Sequence, residues 1–562
     1  MKETYSYNLI LLGGTGAKCG EIFVHMCANG YFDRDVVNIL YIDSDDENGN
    51  GKSFTQVLEH YRQCREQYMI EESPVPGFFR TEIRFMKEDP AGEAVRFRNL
   101  ADSDGGIQIT EGARALMAAM YSEEEINMDI SEGFFAHPNV GAAVFAANMD
   151  NIMRQFLKLV ELEQKNMKKV KIFILGSVFG GTGAASLPTI GEYLKRRLFG
   201  DSDNRLIRSK LKIGSGIILP YFSFYDNKLH QKVAAGEDIT IEQDKFATKT
   251  RSAIKYYKDI DGENGGNVFD STYIIGHDGY DVRGAYHDKG GEQKNLPHVV
   301  ELYGAMAATT FLEEEMDKTG NYFAVVPSDK IAWNNIYKNR EGYFSFFVMM
   351  RFAIVMKSLI LEEMFDYTKS NKLRGTVHLI PWYYDFLDGK TKSSNMNMQK
   401  LYDMFENISE YCDDYIRWFA ELNIANVGKL DNLEQINYSE SDEDTVGYLS
   451  LFKKELLIRQ YQNNRIIKGL IAKDEEVLKN LYKENLKYIR THLEKLEEVH
   501  AYTDLDSESI DMSIIWRRLC DSGFNLFVRN DDAFKNIVRT SDKSMESGIR
   551  NLVNAVFCSC LY

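Results

Sequence analysis

Five short runs of this chain are apolar on both faces: Tyr7–Leu12, Val37–Ile42, Val170–Leu175, Lys212–Leu219 and Ser271–Ile275. Runs rich in Ile, Leu and Val without alternation read as central strands of a parallel sheet, buried above and below. Helical patterns separate them, among them Ile22–Met26 and Leu187–Leu198. Strand–helix alternation predicts an α/β fold, a doubly wound Rossmann-like layer. Pro297 to Met316 reads as a long apolar helix, with Pro297 at its first helical position. Beyond it the pattern turns helical. Leu401, Phe405, Ile408, Cys412, Tyr415, Phe419 and Leu422 recur at helical spacing, as do Leu478, Leu481, Ile489, Leu493 and Leu496. Both stripes are read as core packing. Gly375–Ile380 is a further strand candidate. Residues 44–135 read as a polar insertion, with turn signals at Pro74, Pro76-Gly77, Pro90 and Gly105-Gly106.

Two strands run straight into glycine loops. Leu12 leads into Gly13-Gly14-Thr15-Gly16, and the run from Val170 repeats the device, leading into Gly180-Gly181-Thr182-Gly183. Glycine lets bare N–H groups approach an anion, and the following helix N-terminus adds partial positive charge. Two such loops point to one phosphate chain gripped from two sides. Thr15 and Thr182 can add hydroxyls, and Lys18 on the first helical turn either neutralises phosphate or sits exposed. No Lys-Ser or Lys-Thr follows the second loop, so it is not a P-loop. The second strand ends in Asp43-Ser44-Asp45-Asp46. Carboxylates at that end of a strand face the ligand edge of an α/β sheet, so Asp45 and Asp46 are candidates for a hydrated Mg²⁺. His137-Pro138-Asn139-Val140-Gly141 opens another helix and offers Asn139 and Gly141 to a terminal phosphate.

Length and charge narrow the class. The chain has 562 residues, enough for two or three domains. Its net charge of −17 argues against general nucleic-acid binding. Seven cysteines without a Cys-x-x-Cys suggest neither a disulfide framework nor a zinc knuckle, and a reducing cytoplasm is expected. Cys558-Ser-Cys560 is a poor chelator without histidine. No apolar run reaches the roughly 20 residues of a membrane span, and no signal peptide is read at Met1-Lys2-Glu3.

The order of these motifs resembles the tubulin/FtsZ superfamily, in a divergent, large prokaryotic form. Gly180-Gly181-Thr182-Gly183 looks like the signature loop, and Leu11-Leu12-Gly13-Gly14-Thr15-Gly16 like the first nucleotide loop. Tyr41-Ile42-Asp43-Ser44-Asp45 resembles the second, acidic loop. His137-Pro138-Asn139-Val140-Gly141 is similar to an Asn-Pro-Glu-Val-Gly loop. Leu219-Pro220-Tyr221-Phe222-Ser223-Phe224 and Tyr273-Ile274-Ile275-Gly276-His277-Asp278 continue the series over about the first 330 residues. Phe179 and Ala185 depart from the signature, where the family carries glycine.

The resemblance implies GTP/GDP with Mg²⁺ and head-to-tail self-association into filaments. It implies hydrolysis across the subunit contact, with nucleotide control of assembly. It places Asn295, His298 and Glu301, at the start of a central helix, against guanine. It places Asp329 as the water-positioning carboxylate toward the next subunit's nucleotide, with Glu301 and Glu313-Glu314-Glu315 as the next candidates. The implied organisation is a nucleotide-binding domain over 1–296 with an insertion at about 50–135, then a central helix over 297–318. A second, activation-type domain follows over 319–395, and a helical region over 396–562 is available to a partner protein. Two other readings stand beside it. One is a tubulin-like scaffold that does not hydrolyse and recruits another protein. The other is an NAD-binding Rossmann oxidoreductase, with Gly14, Gly16 and Gly20 as its glycines and Asp43 as the ribose acid.

Overall fold

The computed structural model describes the sheet region between residues 4 and 326 with interruptions, scattered helical residues over 346–356, and helices within 405–425 and 545–561. Seven strands form one sheet in the order β3-β2-β1-β4-β5-β7-β9, every neighbouring pair parallel. They are β1 (Tyr5–Leu12), β2 (Val36–Ile42), β3 (Glu82–Glu88), β4 (Lys169–Ser177), β5 (Leu211–Ile218), β7 (Ser271–His277) and β9 (Gly320–Val326). A separate parallel pair joins β6 (Phe222–Tyr225) to β8 (Asp281–Ala285). The expected α/β, Rossmann-like architecture is present, and each of the five strands read from the sequence lies in the large sheet.

Alternation along the strands splits the core in two. Leu9, Leu11, Ile39, Tyr41, Phe173 and Leu175 point to one face, and Ile10, Leu12, Leu40, Ile42, Ile172 and Ile174 to the other. The first face is covered by α1 (Gly13–Ala28), α2 (Gly49–Tyr68) and α8 (Val299–Glu313). The second is covered by α5 (Pro138–Ile152), α6 (Arg154–Lys165) and α7 (Gly181–Phe199), with α3 (Glu111–Met120) and α4 (Glu123–Asn127) beyond α5. Pro188 lies inside α7 and frees the carbonyl of Ala184, which accepts from the Tyr257 hydroxyl at 3.0 Å.

Three expectations need correction. The stretch at about 50–135 is not merely an insertion. It supplies α2, whose Phe54, Val57, Leu58, Tyr61, Cys64 and Tyr68 are buried, and β3, which pairs with β2. Its Gln, Arg and Glu residues fall on the outer face of α2 and lower its average hydropathy, which hid the stripe. The boundary expected at 319 falls against β9, which pairs with β7, so the sheet runs on to Val326. Pro297 is not the first helical residue of the central helix. It precedes the N-cap, His298, whose Nδ1 accepts from the N–H of Val300 at 3.0 Å.

The helical stripe at Phe405–Leu422 is real and buried. It belongs to α9 (Glu406–Ala425), which packs on α2, and α10 (Met545–Leu561) packs beside it. Asp414 of α9 meets His60 Nδ1 of α2 at 2.6 Å, and Tyr411 meets His25 of α1 at 2.9 Å. From α10, Asn554 donates to the carbonyl of Tyr68 at 2.8 Å and Arg550 to that of Gln67 at 3.1 Å. These serve carbonyls at the end of α2 that have no partner within the helix. Leu401, the stripe at Leu478–Leu496 and the strand candidate at Gly375–Ile380 lie outside the described residues. Cys19, Cys27, Cys64 and Cys412 are buried and form no disulfide.

Phe557 of α10 stacks on Phe78 with ring centroids 3.9 Å apart, and both are buried. Phe557→Ala is expected to cost about 3–5 kcal/mol, the usual range for emptying a buried phenylalanine site. Urea unfolding of the purified chain measures it. A loss below about 1 kcal/mol would mean that α10 does not contribute to the core.

Candidate functional site

The chain winds outward from β1 through β2 to β3, then returns and winds the other way through β4, β5, β7 and β9. The strand order reverses between β1 and β4. Ligands of open α/β sheets bind in the crevice at the carboxyl ends of the strands at such a switch point. Both glycine loops leave the sheet there, one from β1 and one from β4.

The loops touch. Gly13 is left-handed at φ +66°, and a Cβ on it would lie 3.2 Å from the Cβ of Thr182. Several glycines serve close packing. A Cβ on Gly16 would stand 2.9 Å from the carbonyl carbon of Leu11, and one on Gly183 2.5 Å from the oxygen of Ser177. Gly181 meets Phe134 and Gly141 meets Ala185, each at 2.8 Å by the same measure. Gly180 is different: only the Ser177 hydroxyl comes near, at 3.2 Å. Gly14 faces the amides of Asn48 and Asn50, and Gly14 and Thr15 are partly exposed.

Helix ends concentrate here. α1, α2, α5 and α7 carry no acid in their first turns. The N-cap residues of α1 and α5, Leu12 and His137, make no side-chain cap bond. Their first-turn N–H groups are therefore open to an anion or to water. α8 is the contrast. Its N-terminus is closed by a capping box, in which Glu301 Oε2 accepts from the N–H of His298 at 2.8 Å.

The remaining sequence candidates divide. Lys18 is not exposed on its turn. It is buried, donates to the carbonyl of Asn295 at 2.8 Å and pairs with Glu301 at 3.4 Å. Thr182 donates to Asp43 Oδ1 at 3.3 Å. Asn139 donates its amide to Glu125 at 2.7 Å. Asn295 donates its N–H to Asn50 Oδ1 at 3.0 Å. His298 is fully buried and spends Nδ1 on the helix cap, which turns its ring away from free base contact. Glu301 also accepts from the Tyr221 hydroxyl. Phe179, in place of a signature glycine, packs edge-on against Tyr221 at 5.9 Å, and so works as core. Asp45 is partly exposed, while Asp46 and Asp329 lie outside the described residues. Glu313 and Glu314 stand at the opposite edge of the sheet, bonded to Arg34, Lys212 and Tyr273, so that run is remote from the loops.

The structure adds residues the sequence reading passed over. A small cleft beside the first loop is lined by Lys18, Glu21, Asn50, Asn295, Glu301 and Trp418, among others. Asn50 was legible as part of an Asn-Gly-Asn helix start. Trp418 carried no signal beyond its place in a buried stripe. Ser44 is buried at the end of β2 with its hydroxyl unpartnered, one residue from Asp43. Among the described residues, no group of three or more His, Cys, Asp or Glu gathers as a metal site. A hydrated Mg²⁺ on a phosphate chain needs only one or two carboxylates, which Asp45 fits.

No family model matches the chain, and no curated protein matches it. Among solved structures, CetZ from Methanosaeta thermophila strain DSM 6194 is similar over 48% of this chain and 45% of its own. The identity is 12% and the TM-score 0.22. CetZ2 from Haloferax volcanii, described as a GTPγS-bound protofilament, is similar over 55% of this chain and 58% of its own. There the identity is 11% and the TM-score 0.25. The chain thus spans about half the length of these structures. Overlap at such TM-scores says nothing about ligand or assembly. No helix among the described residues is long and apolar enough to cross a membrane.

Two predictions follow from the loops. Gly180→Ala should fold with near-native stability, because its Cβ has room, yet should weaken any ligand that needs the bare Gly180 backbone. Gly183→Ala should instead destabilise the protein, since its Cβ would overlap the Ser177 backbone. Thermal melts beside anion-binding titrations separate the two, and equal melting temperatures for both variants would contradict this packing.

Burial pushes the Asp43 carboxyl up to about 7, against the hydroxyl of Tyr41, which donates at 2.9 Å and favours the charged form. The folded protein then holds a proton that the unfolded chain has released. Stability is full below the unfolded value near 4 and is lost as pH rises toward 7. Asp43→Asn should flatten that decline and be relatively more stable than wild type at pH 8 than at pH 5. Urea midpoints at the two pH values test this, and identical pH profiles would refute it.

Proposed function

We propose that this chain is a divergent tubulin/FtsZ-like protein that binds GTP with Mg²⁺ between its two glycine loops and self-associates head to tail. The observation that carries the binding reading is the pairing of two acid-free helix N-termini, α1 and α7, at the sheet's switch point with Gly13 against Thr182. Open N–H groups and helix dipoles there suit a polyphosphate. The phosphate set is Gly13, Gly14, Thr15, Gly16, Gly180, Gly181, Thr182 and Gly183, with Asn139 and Gly141 at the terminal phosphate. Asp45 and Asp46 would hold Mg²⁺, which neutralises developing phosphate charge when bound. Asn295 and Lys18 belong to the base side, with His298 behind them as the cap of α8.

Guanine, filaments, hydrolysis and a cytoplasmic setting rest on the motif resemblance. In that reading Asp329 of one subunit positions water at the nucleotide of the next. The organisation implied by the sequence, with a nucleotide unit first and partner contacts in 396–562, remains part of the proposal. α9 and α10 each pack one face on the sheet domain. A dinucleotide oxidoreductase fits less well, because Asp43 is buried against Tyr41 and Thr182 and does not present its carboxylate to a ribose.

Calorimetry with GTP, GDP and ATP under Mg²⁺ tests binding, and failure of all three would end the nucleotide reading. Assembly predicts GTPase activity that rises more than linearly with protein concentration. Asp329→Ala should lower turnover about 100-fold or more while leaving binding intact, the usual scale for a positioned proton-transfer or water-orienting group. Strictly proportional activity with only monomers in sedimentation would favour the non-hydrolysing scaffold instead.

A further inference from the structure

Among the described residues that line the cleft, Trp418 alone comes from the C-terminal helices. It stands on α9, about 400 residues after the first glycine loop, yet lines the cleft with Lys18, Asn50 and Asn295. Its side chain is 1% exposed and its indole N–H has no partner. The ring is held firmly: His25 lies 4.8 Å away at 37°, and Tyr415 lies edge-on at 5.5 Å. An indole offers a donor and no acceptor. A buried donor without a partner is costly, and such exceptions call for an explanation.

The neighbours do not serve it. Glu301 is committed to Lys18, Tyr221 and the N–H of His298. The Asn50 carbonyl oxygen accepts from Asn295. Glu21, across the cleft, faces Arg417 at 3.9 Å. The cleft lining therefore joins a residue with an unserved donor to the carboxylates of Glu21 and Glu301. A purine ring edge offers the complement, with ring acceptors beside N–H donors.

We propose that Trp418 recognises the base of the bound nucleotide, donating its indole N–H to a ring acceptor of the purine, so that α9 completes the nucleotide cleft. This rests on the nucleotide reading above. It adds that the base is read by a helix of the C-terminal region, and that occupancy of the cleft is felt by α9.

The test compares GTP with tripolyphosphate, both under Mg²⁺, on the full chain. Trp418→Phe keeps a ring in place and removes the donor. It should weaken GTP about tenfold, the order of one buried hydrogen bond, and leave tripolyphosphate binding unchanged. Hydrogen exchange on the wild-type chain gives a readout that does not depend on the variant. GTP should protect the amides of 406–425 more than tripolyphosphate does. Unchanged GTP affinity in Trp418→Phe overturns the proposal. Equal loss for both ligands, or no extra protection of 406–425, overturns it as well. If wild type binds tripolyphosphate but not GTP, the base wall is wrong while the phosphate loops stand. If it binds neither, the nucleotide reading itself has failed.

Discussion

The missing Cβ at Gly16 and Gly183 is the constraint on which the site depends. A methyl group at Gly16 would press on the backbone of Leu11, and one at Gly183 on that of Ser177. Without it, α1 and α7 start in contact with the strands they follow, β1 and β4. These are the two strands where the sheet order reverses. The helix N-termini are therefore held side by side, their N–H groups open at the carboxyl edge. Open N–H groups at such a place accompany tight strand-to-helix packing, so the same missing Cβ serves packing and leaves the backbone bare.

The central helix α8 has unlike ends. At the loop edge, His298 and Glu301 close the N-terminus, and Lys18 joins them through Glu301 and Asn295. At the far edge its C-terminal carbonyls meet two buried lysines. Lys171 donates to Leu312 at 3.0 Å, and Lys212 to Glu315 at 3.2 Å. Cations at a helix C-terminus are favourable. Burial lowers the Lys171 ammonium to about 8, with Lys212 nearby acting in the same direction. The acids at Glu313–Glu315 are therefore structural partners of that edge.

The C-terminal helices extend the core. α9 lays Tyr411, Tyr415 and Trp418 against His25 of α1. Burial drives the His25 imidazole down to about 3, so it stays neutral inside this aromatic cage. His60 on α2 has the opposite shift. Burial lowers it, but the Asp414 carboxylate and Glu410 outweigh that and raise it overall. That pair therefore ties α2 to α9 more firmly in mildly acidic than in alkaline solution. A shift of α9 would move Trp418 and the wall of the cleft together.

Local pattern alone determined much of this protein. Apolarity on both faces marked β1, β2, β4, β5 and β7, because a strand covered by helices on both sides has no polar face to show. Glycine after those strands marked the two loops, and helical spacing marked the stripe of α9. β3 and α2 escaped notice because their charged faces diluted the apolar ones, and whether such faces are solvated is decided by what packs opposite. Roles that depend on distant partners were likewise beyond the sequence. Lys18 reads as a surface lysine until Glu301 and Asn295 arrive 277 or more residues later in the chain. His298 reads as a base contact until it is seen capping its own helix. Trp418 reads as core until the fold sets it beside Asn295. Sequence determines which residues prefer strand, turn and helix, since those preferences are local. Only tertiary structure decides which polar groups find partners, and hence which are left free to bind.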